Sequence, residues 1–102
     1  MKITSKQRSY LRSEGSRIDP VVRVGKEGMT ETVIQAVEDV INAREFIKVK
    51  ILNNSDEDIR DVASVLAEKT GAEIVHIMGG TVLLFRENSE SPTYISRNLK
   101  EI

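Results

Sequence analysis

The residues with the clearest chemical use form one run, Val24-Gly25-Lys26-Glu27-Gly28-Met29-Thr30-Glu31. Two glycines three apart bracket a lysine, β-branched residues precede them, and a helix start follows. Glycines let a backbone come close to a phosphate, and amides in a turn that runs into a helix N-terminus point at an anion. Arg23 and Lys26 would add positive charge on either side. The same spacing also serves as a plain strand-to-helix turn, so the pair of glycines needs support from elsewhere. That support lies in further bases: Lys6, Arg8 and Arg12 near the N-terminus, and Lys48 and Lys50 two apart in an apolar run. The candidate phosphate-contacting set is therefore Gly25, Lys26, Glu27, Gly28, Arg23, Arg8, Arg12, Lys6, Lys48 and Lys50.

Other chemistries find little to work with. There is one histidine, His76, and no cysteine, so a metal site of imidazole and thiolate ligands lacks its ligands. No serine sits beside a base in a way that suggests nucleophilic catalysis, and the nucleotide-binding Gly-x-x-x-x-Gly-Lys-Ser/Thr spacing is missing. Neither an enzyme, nor a metal, nor a cofactor is expected. The four aromatic residues, Tyr10, Phe46, Phe85 and Tyr94, are too few for a base-stacking platform. Recognition of nucleic acid would rest on phosphates and shape.

The net charge of −1 argues for no nucleic-acid partner by itself, but its distribution is uneven. Residues 1–26 hold seven bases against two acids, a net +5; residues 27–102 hold eight against fourteen, a net −6. Such polarity can steer an anion to one end of the molecule. The acidic helix faces leave a second possibility open, a protein-interaction module docking a basic protein partner. No apolar run reaches the ~20 residues of a membrane helix, and Met1 to Lys6 lack a secretory apolar stretch, so a cytoplasmic protein without a membrane partner is expected.

These residues must be positioned by a chain of 102 residues, one domain by length. Thr4 and Gln7 form a capping-box pattern for a helix through Glu14, with Arg8 and Arg12 in a row along it. Val21 to Val24 reads as a strand feeding the glycine loop. Thr30 caps a helix to about Ala43 that buries Val33, Val37, Val40 and Ile41. Phe46 to Leu52 alternates cleanly, with Ile47, Val49 and Ile51 on one side and Lys48 and Lys50 on the other. Asn53-Asn54-Ser55 reads as a turn, and Asp56-Glu57-Asp58 load the start of a helix stripe of Ile59, Val62, Ala63 and Leu66 that ends at Gly71. Glu73 to Met78 and Thr81 to Arg86 form a hairpin about Gly79-Gly80. The order helix, strand, helix, strand, helix, strand, strand predicts an α/β two-layer sandwich on a four-stranded mixed sheet. The helix-joined strands should pair in parallel. The two crossover helices should share one face, and Arg23, Lys48 and Lys50 should mark the other, partly screened by the first helix. From Glu87 the chain is polar and a loose tail is expected.

The ordered blocks then resemble a known family. Lys6-Gln7-Arg8 with Leu11-Arg12, Pro20-Val21, Val24 to Glu31, Arg44 to Val49, Thr70 to Glu73, and Ile77 to Arg86 are similar to the YhbY-like, or CRM-domain, RNA-binding proteins (chloroplast RNA splicing and ribosome maturation). The resemblance implies a single CRM-like RNA-binding domain over residues 1–87 with a polar tail at 88–102. It implies a fold similar to the C-terminal domain of bacterial translation initiation factor three. It further implies a ribosome-assembly role on large-subunit ribosomal RNA or its precursor, in pre-ribosomal particles and without DNA specificity, with Gly25 to Gly28 as the backbone-contacting loop. Glu27 departs from that pattern, where the family more often has a neutral or basic residue. A carboxylate a few ångströms from a phosphate costs on the order of 1 kcal/mol.

Overall fold

A computed structural model describes residues 2–52 and 58–102 of the chain. The turn expected at Asn53-Asn54-Ser55 and the acids Asp56 and Glu57 lie outside the described residues. The elements are α1 (Ser5–Gly15), β1 (Val22–Val24), α2 (Glu31–Arg44), β2 (Phe46–Ile51), α3 (Ile59–Thr70), β3 (Glu73–Met78), β4 (Thr81–Phe85) and α4 (Tyr94–Leu99). Among the described residues no helix is long and apolar enough to cross a membrane.

Local chemistry starts each of the long helices. Thr4 Oγ1 accepts the Gln7 amide at 3.2 Å while Gln7 Oε1 accepts the Thr4 amide at 2.9 Å, the expected reciprocal cap of α1. Thr30 Oγ1 accepts the Val33 amide of α2, and Asp58 Oδ1 accepts the Arg60 amide of α3. Each such cap is worth ~1 kcal/mol.

The sheet is mixed and four-stranded, as the element order predicts, but its strand order is β1-β2-β4-β3. Only β1 and β2 are parallel neighbours, with Val24 beside Ile51. The parallel pairing expected between β2 and β3 is replaced by two antiparallel pairings, because β4 turns back at Gly79-Gly80 and enters between them. The reason lies in β4 itself. Val82, Leu83, Leu84 and Phe85 are all buried, an unbroken apolar run that needs cover on both faces and therefore a central place.

Side chains from the two faces build two separate cores. Ile47, Val49, Ile51, Val82 and Leu84 meet Val37 and Ile41 of α2 and Val62, Ala63 and Leu66 of α3. On the opposite face Phe46, Val75, Leu83 and Phe85 meet Ile3, Leu11, Ile95 and Leu99. Alternation along β3 puts Ile74 in the first core and Val75 in the second, and a bulge between Ile74 and His76 turns His76 to the Val75 side while Ile77 returns to the first core.

The expected loose tail is instead docked. Within it α4 buries Ile95 and Leu99, and the Leu99 carbonyl accepts Gln7 Nε2 at 3.0 Å. The anchor is Glu45, fully buried at the C-terminus of α2 with φ at 65°. Its carboxylate accepts the amides of Asn88 at 2.7 Å, Thr93 at 2.9 Å and Ser96 at 3.3 Å, and the Thr93 hydroxyl. Burial alone pushes this carboxyl up, yet the hydrogen bonds from Thr93, Asn88 and Ser96 together hold it below its ordinary value. On the other side Arg86, just after β4, grips both carboxylate oxygens of Glu38 at 2.9 and 2.6 Å and reaches the Thr70 carbonyl at 2.7 Å. That clamp holds the Glu38 carboxyl below its usual range and joins α2, α3 and β4.

Candidate nucleic-acid interface

The glycine loop leaves the sheet directly after β1. Gly28 N–H donates to the Gly25 carbonyl at 3.0 Å, which closes a four-residue turn with Lys26 and Glu27 exposed at its corner. Gly28 is buried with φ at 71°, a conformation that disfavours any side chain. Gly25 differs: a methyl there would meet only Leu52 Cδ1 at 3.7 Å, an ordinary contact. The turn also narrows the chemistry. Since the Gly28 amide is committed to Gly25, the corner amides of Lys26 and Glu27 are the ones the turn leaves for an incoming oxygen.

Strand register brings the next cations to the same end. Val22 and Val24 are buried, so Arg23 between them turns to the opposite face and is exposed. It pairs with Lys50, which pairs with Thr81, which pairs with Met78. One row across four strands therefore reads Arg23, Lys50, Thr81, Met78. The next row toward the sheet centre reads Lys48, Leu83, His76. Neighbouring strands are ~4.8 Å apart and alternate residues ~7 Å apart, so Arg23, Lys50 and Lys48 form a tight cluster. Both rows lie on the face opposite α2 and α3, where the alternation of β2 predicts its lysines.

That face is covered at one end and open at the other. Helices α1 and α4 close it over Phe46 and Phe85. At the end of α1 a Cβ on Gly15 would overlap Leu83 Cδ1 at 2.4 Å, so glycine lets the helix lie directly on the sheet. Beyond Gly15 the face opens into a cleft where Arg12 of α1 meets Lys48, His76, Met78 and Thr81. Arg12 is exposed and adds a fifth cation to Lys26, Arg23, Lys50 and Lys48.

Two of the predicted site residues are placed elsewhere. Arg8 is half-buried, and its Nη1 donates to the carbonyls of Ile74 at 2.8 Å and Val75 at 2.6 Å. It holds α1 to β3, so the expected Arg8–Arg12 row is divided between a structural residue and an exposed one. Lys6 is exposed, but it lies six residues before Arg12, about 9 Å along the helix, away from the cluster. Residues that the sequence did not single out line the cleft: Ser16, Thr81 and Met78, the last 68% exposed. An exposed methionine closing an apolar strand was the signal available for the last. Among the described residues no group of three histidine, aspartate or glutamate side chains could hold a metal.

The chain is similar over most of its length to known proteins. The family profile described as the CRS1 / YhbY (CRM) domain matches residues 3–86. "Probable RNA-binding protein YqeI" of Bacillus subtilis is 36% identical over 89 residues, covering 87% of this chain and 93% of the relative. "Probable RNA-binding protein MJ0652" of Methanocaldococcus jannaschii is 35% identical over 102 residues, covering 98% of this chain and 75% of the relative. The solution structure of the hypothetical protein SAV1595 from Staphylococcus aureus superposes with a TM-score of 0.73 at 38% identity, covering 84% of this chain and 90% of that one.

Proposed function

The chain belongs to the CRS1 / YhbY (CRM) domain family, and from that membership we propose that it is an RNA-binding protein, a cytoplasmic ribosome-assembly factor that holds precursor large-subunit ribosomal RNA. It acts by binding alone. The observation that carries this is the convergence of the Gly25–Gly28 turn with Arg23, Lys50, Lys48 and Arg12 at the open end of one sheet face. Five cations with Lys26 can neutralise several phosphates along a backbone, and the turn admits that backbone between glycines. Glu27, exposed at the corner, is the one opposing charge in the loop.

Binding of this kind releases counterions, and each phosphate contact contributes ~0.7 to 0.9 to the slope of log affinity against log salt. A salt titration with structured ribosomal RNA should therefore give a slope of roughly −3 to −4.5 for four or five contacts. Co-sedimentation with precursor large subunits in a gradient tests the assembly role. Salt-independent binding, or none, would favour the second reading. That reading is a protein module docking a basic ribosomal or assembly partner on the outer face of α2, where Glu31, Gln35 and Asp39 border a shallow depression.

A further inference from the structure

We propose that the cleft between the C-terminal half of α1 and the open sheet face is a ribose-recognition subsite that makes this surface prefer RNA to DNA of the same sequence. The inference rests on the RNA-binding reading above and adds a division of labour to it. Lysine and arginine side chains and backbone amides are donors only. They go first to the charged phosphate oxygens, which both polymers carry. A surface built of those groups alone would bind the backbone of either polymer.

The cleft supplies what they lack. It has a volume of about 320 Å³ between Ser9, Arg12, Ser13 and Ser16 of the α1 end and His76 and Met78 of β3. It continues into a recess of about 60 Å³ that Lys48 and Thr81 share with Arg12 and Ser16, floored by Leu83. Two hydroxyls in it already have their protons committed. Ser16 Oγ donates to the Ser13 carbonyl at 2.7 Å, and Thr81 Oγ1 donates to the Met78 carbonyl at 2.9 Å. Their remaining lone pairs can only accept. A ribose 2′-hydroxyl is a donor as well as an acceptor, whereas deoxyribose offers nothing at that position. Arg12 and Lys48 stand in the same cleft to hold the adjoining phosphate, and the exposed Met78 gives the sugar ring an apolar neighbour. Acceptors whose own protons are committed to backbone carbonyls, in one recess with two phosphate-binding cations, select a donor on the sugar.

The test uses the full chain and one stem-loop sequence in three forms: RNA, DNA, and RNA with 2′-O-methyl groups. The methyl ether keeps the RNA helix geometry and removes the hydroxyl proton. Wild-type protein should bind unmodified RNA more tightly than either other form. The double variant Ser16→Ala/Thr81→Val, checked by its melting temperature, should lose roughly 2- to 10-fold in RNA affinity for each hydrogen bond removed. Its DNA affinity should not change. Gly25→Ala should weaken all three forms by a common factor. Equal wild-type binding of methylated and unmodified RNA, or full discrimination by the double variant, would overturn the subsite and leave the RNA-binding reading standing. Failure to bind any of the three would overturn both.

Discussion

The two loop glycines separate folding from binding because their backbones differ. At Gly28, φ of 71° places an alanine in the left-handed region, at a cost of about 1 to 2 kcal/mol. For a domain of this size that lowers the melting temperature by roughly 4 to 16 °C. At Gly25 there is no such penalty, and the new methyl meets only Leu52 Cδ1 at 3.7 Å. Alanine there restricts the unfolded chain and should leave stability unchanged or raise it by about 0.4 to 1 kcal/mol. For RNA the same methyl stands where a phosphate must approach the corner amides. Hydrogen bonds to charged groups are worth about 1.5 to 3 kcal/mol, so losing one weakens binding roughly 10- to 150-fold. Gly25→Ala should thus melt at or above the wild-type temperature and bind RNA weakly, with thermal melts and fluorescence anisotropy as the two assays. Normal RNA affinity in that variant would refute the loop as a backbone contact, leaving it a turn and moving the site to the sheet face.

Glu27→Lys should raise RNA affinity at low salt and steepen the salt dependence by ~0.7 to 0.9, as one new phosphate contact would; an unchanged titration would place this side chain away from the RNA. Arg12→Ala should lower that slope by a similar amount without moving the melting temperature, while Arg8→Ala should cost about 1 to 3 kcal/mol of stability through its lost carbonyl bonds. A matched loss of stability from both would show that Arg12 too is structural. Glu45 carries a pH prediction. Its folded carboxyl lies below the ordinary 4.5, so its stabilisation is present above that value and is lost as pH falls through the lower, folded one. Acid melts should show that limb, flattened in Glu45→Gln, which should also cost about 1 to 3 kcal/mol at neutral pH, because its amide keeps one acceptor oxygen for Thr93 and Ser96 but turns an NH2 on the Asn88 amide. An unaltered acid limb in the variant would remove Glu45 from the account.

What the sequence made legible was local or periodic. The caps at Thr4 and Thr30, the alternation that turns Lys48 and Lys50 away from Ile47 and Val49, and the hairpin at Gly79-Gly80 all depend on neighbours within a few residues. What escaped depends on residues far apart. The insertion of β4 between β2 and β3 follows from competition for a doubly covered place, which no single segment reveals. Helix α4 offers only Ile95 and Leu99 as apolar anchors, and its docking carboxylate, Glu45, sits some fifty residues upstream. A glutamate beside an arginine reads as solvated until its partners are known. Arg8 and Arg12 look alike on a helical wheel, and only the position of β3 separates them.

The bond from Arg8 to β3 has a consequence for how this molecule can meet others. A four-stranded open sheet ends in two strands whose outer sides could recruit a strand from another chain. Here one border, β1, is three residues long, too short to template much. The other, β3, is kinked by its bulge, and an arginine occupies the carbonyls of Ile74 and Val75. Both borders are therefore poor sites for strand addition, the mode by which many domains capture extended peptides or polymerise. Partners are left to meet the faces of the sheet and its loops. A small basic-faced protein can then stand among unfolded segments of other chains without being drawn into their sheets.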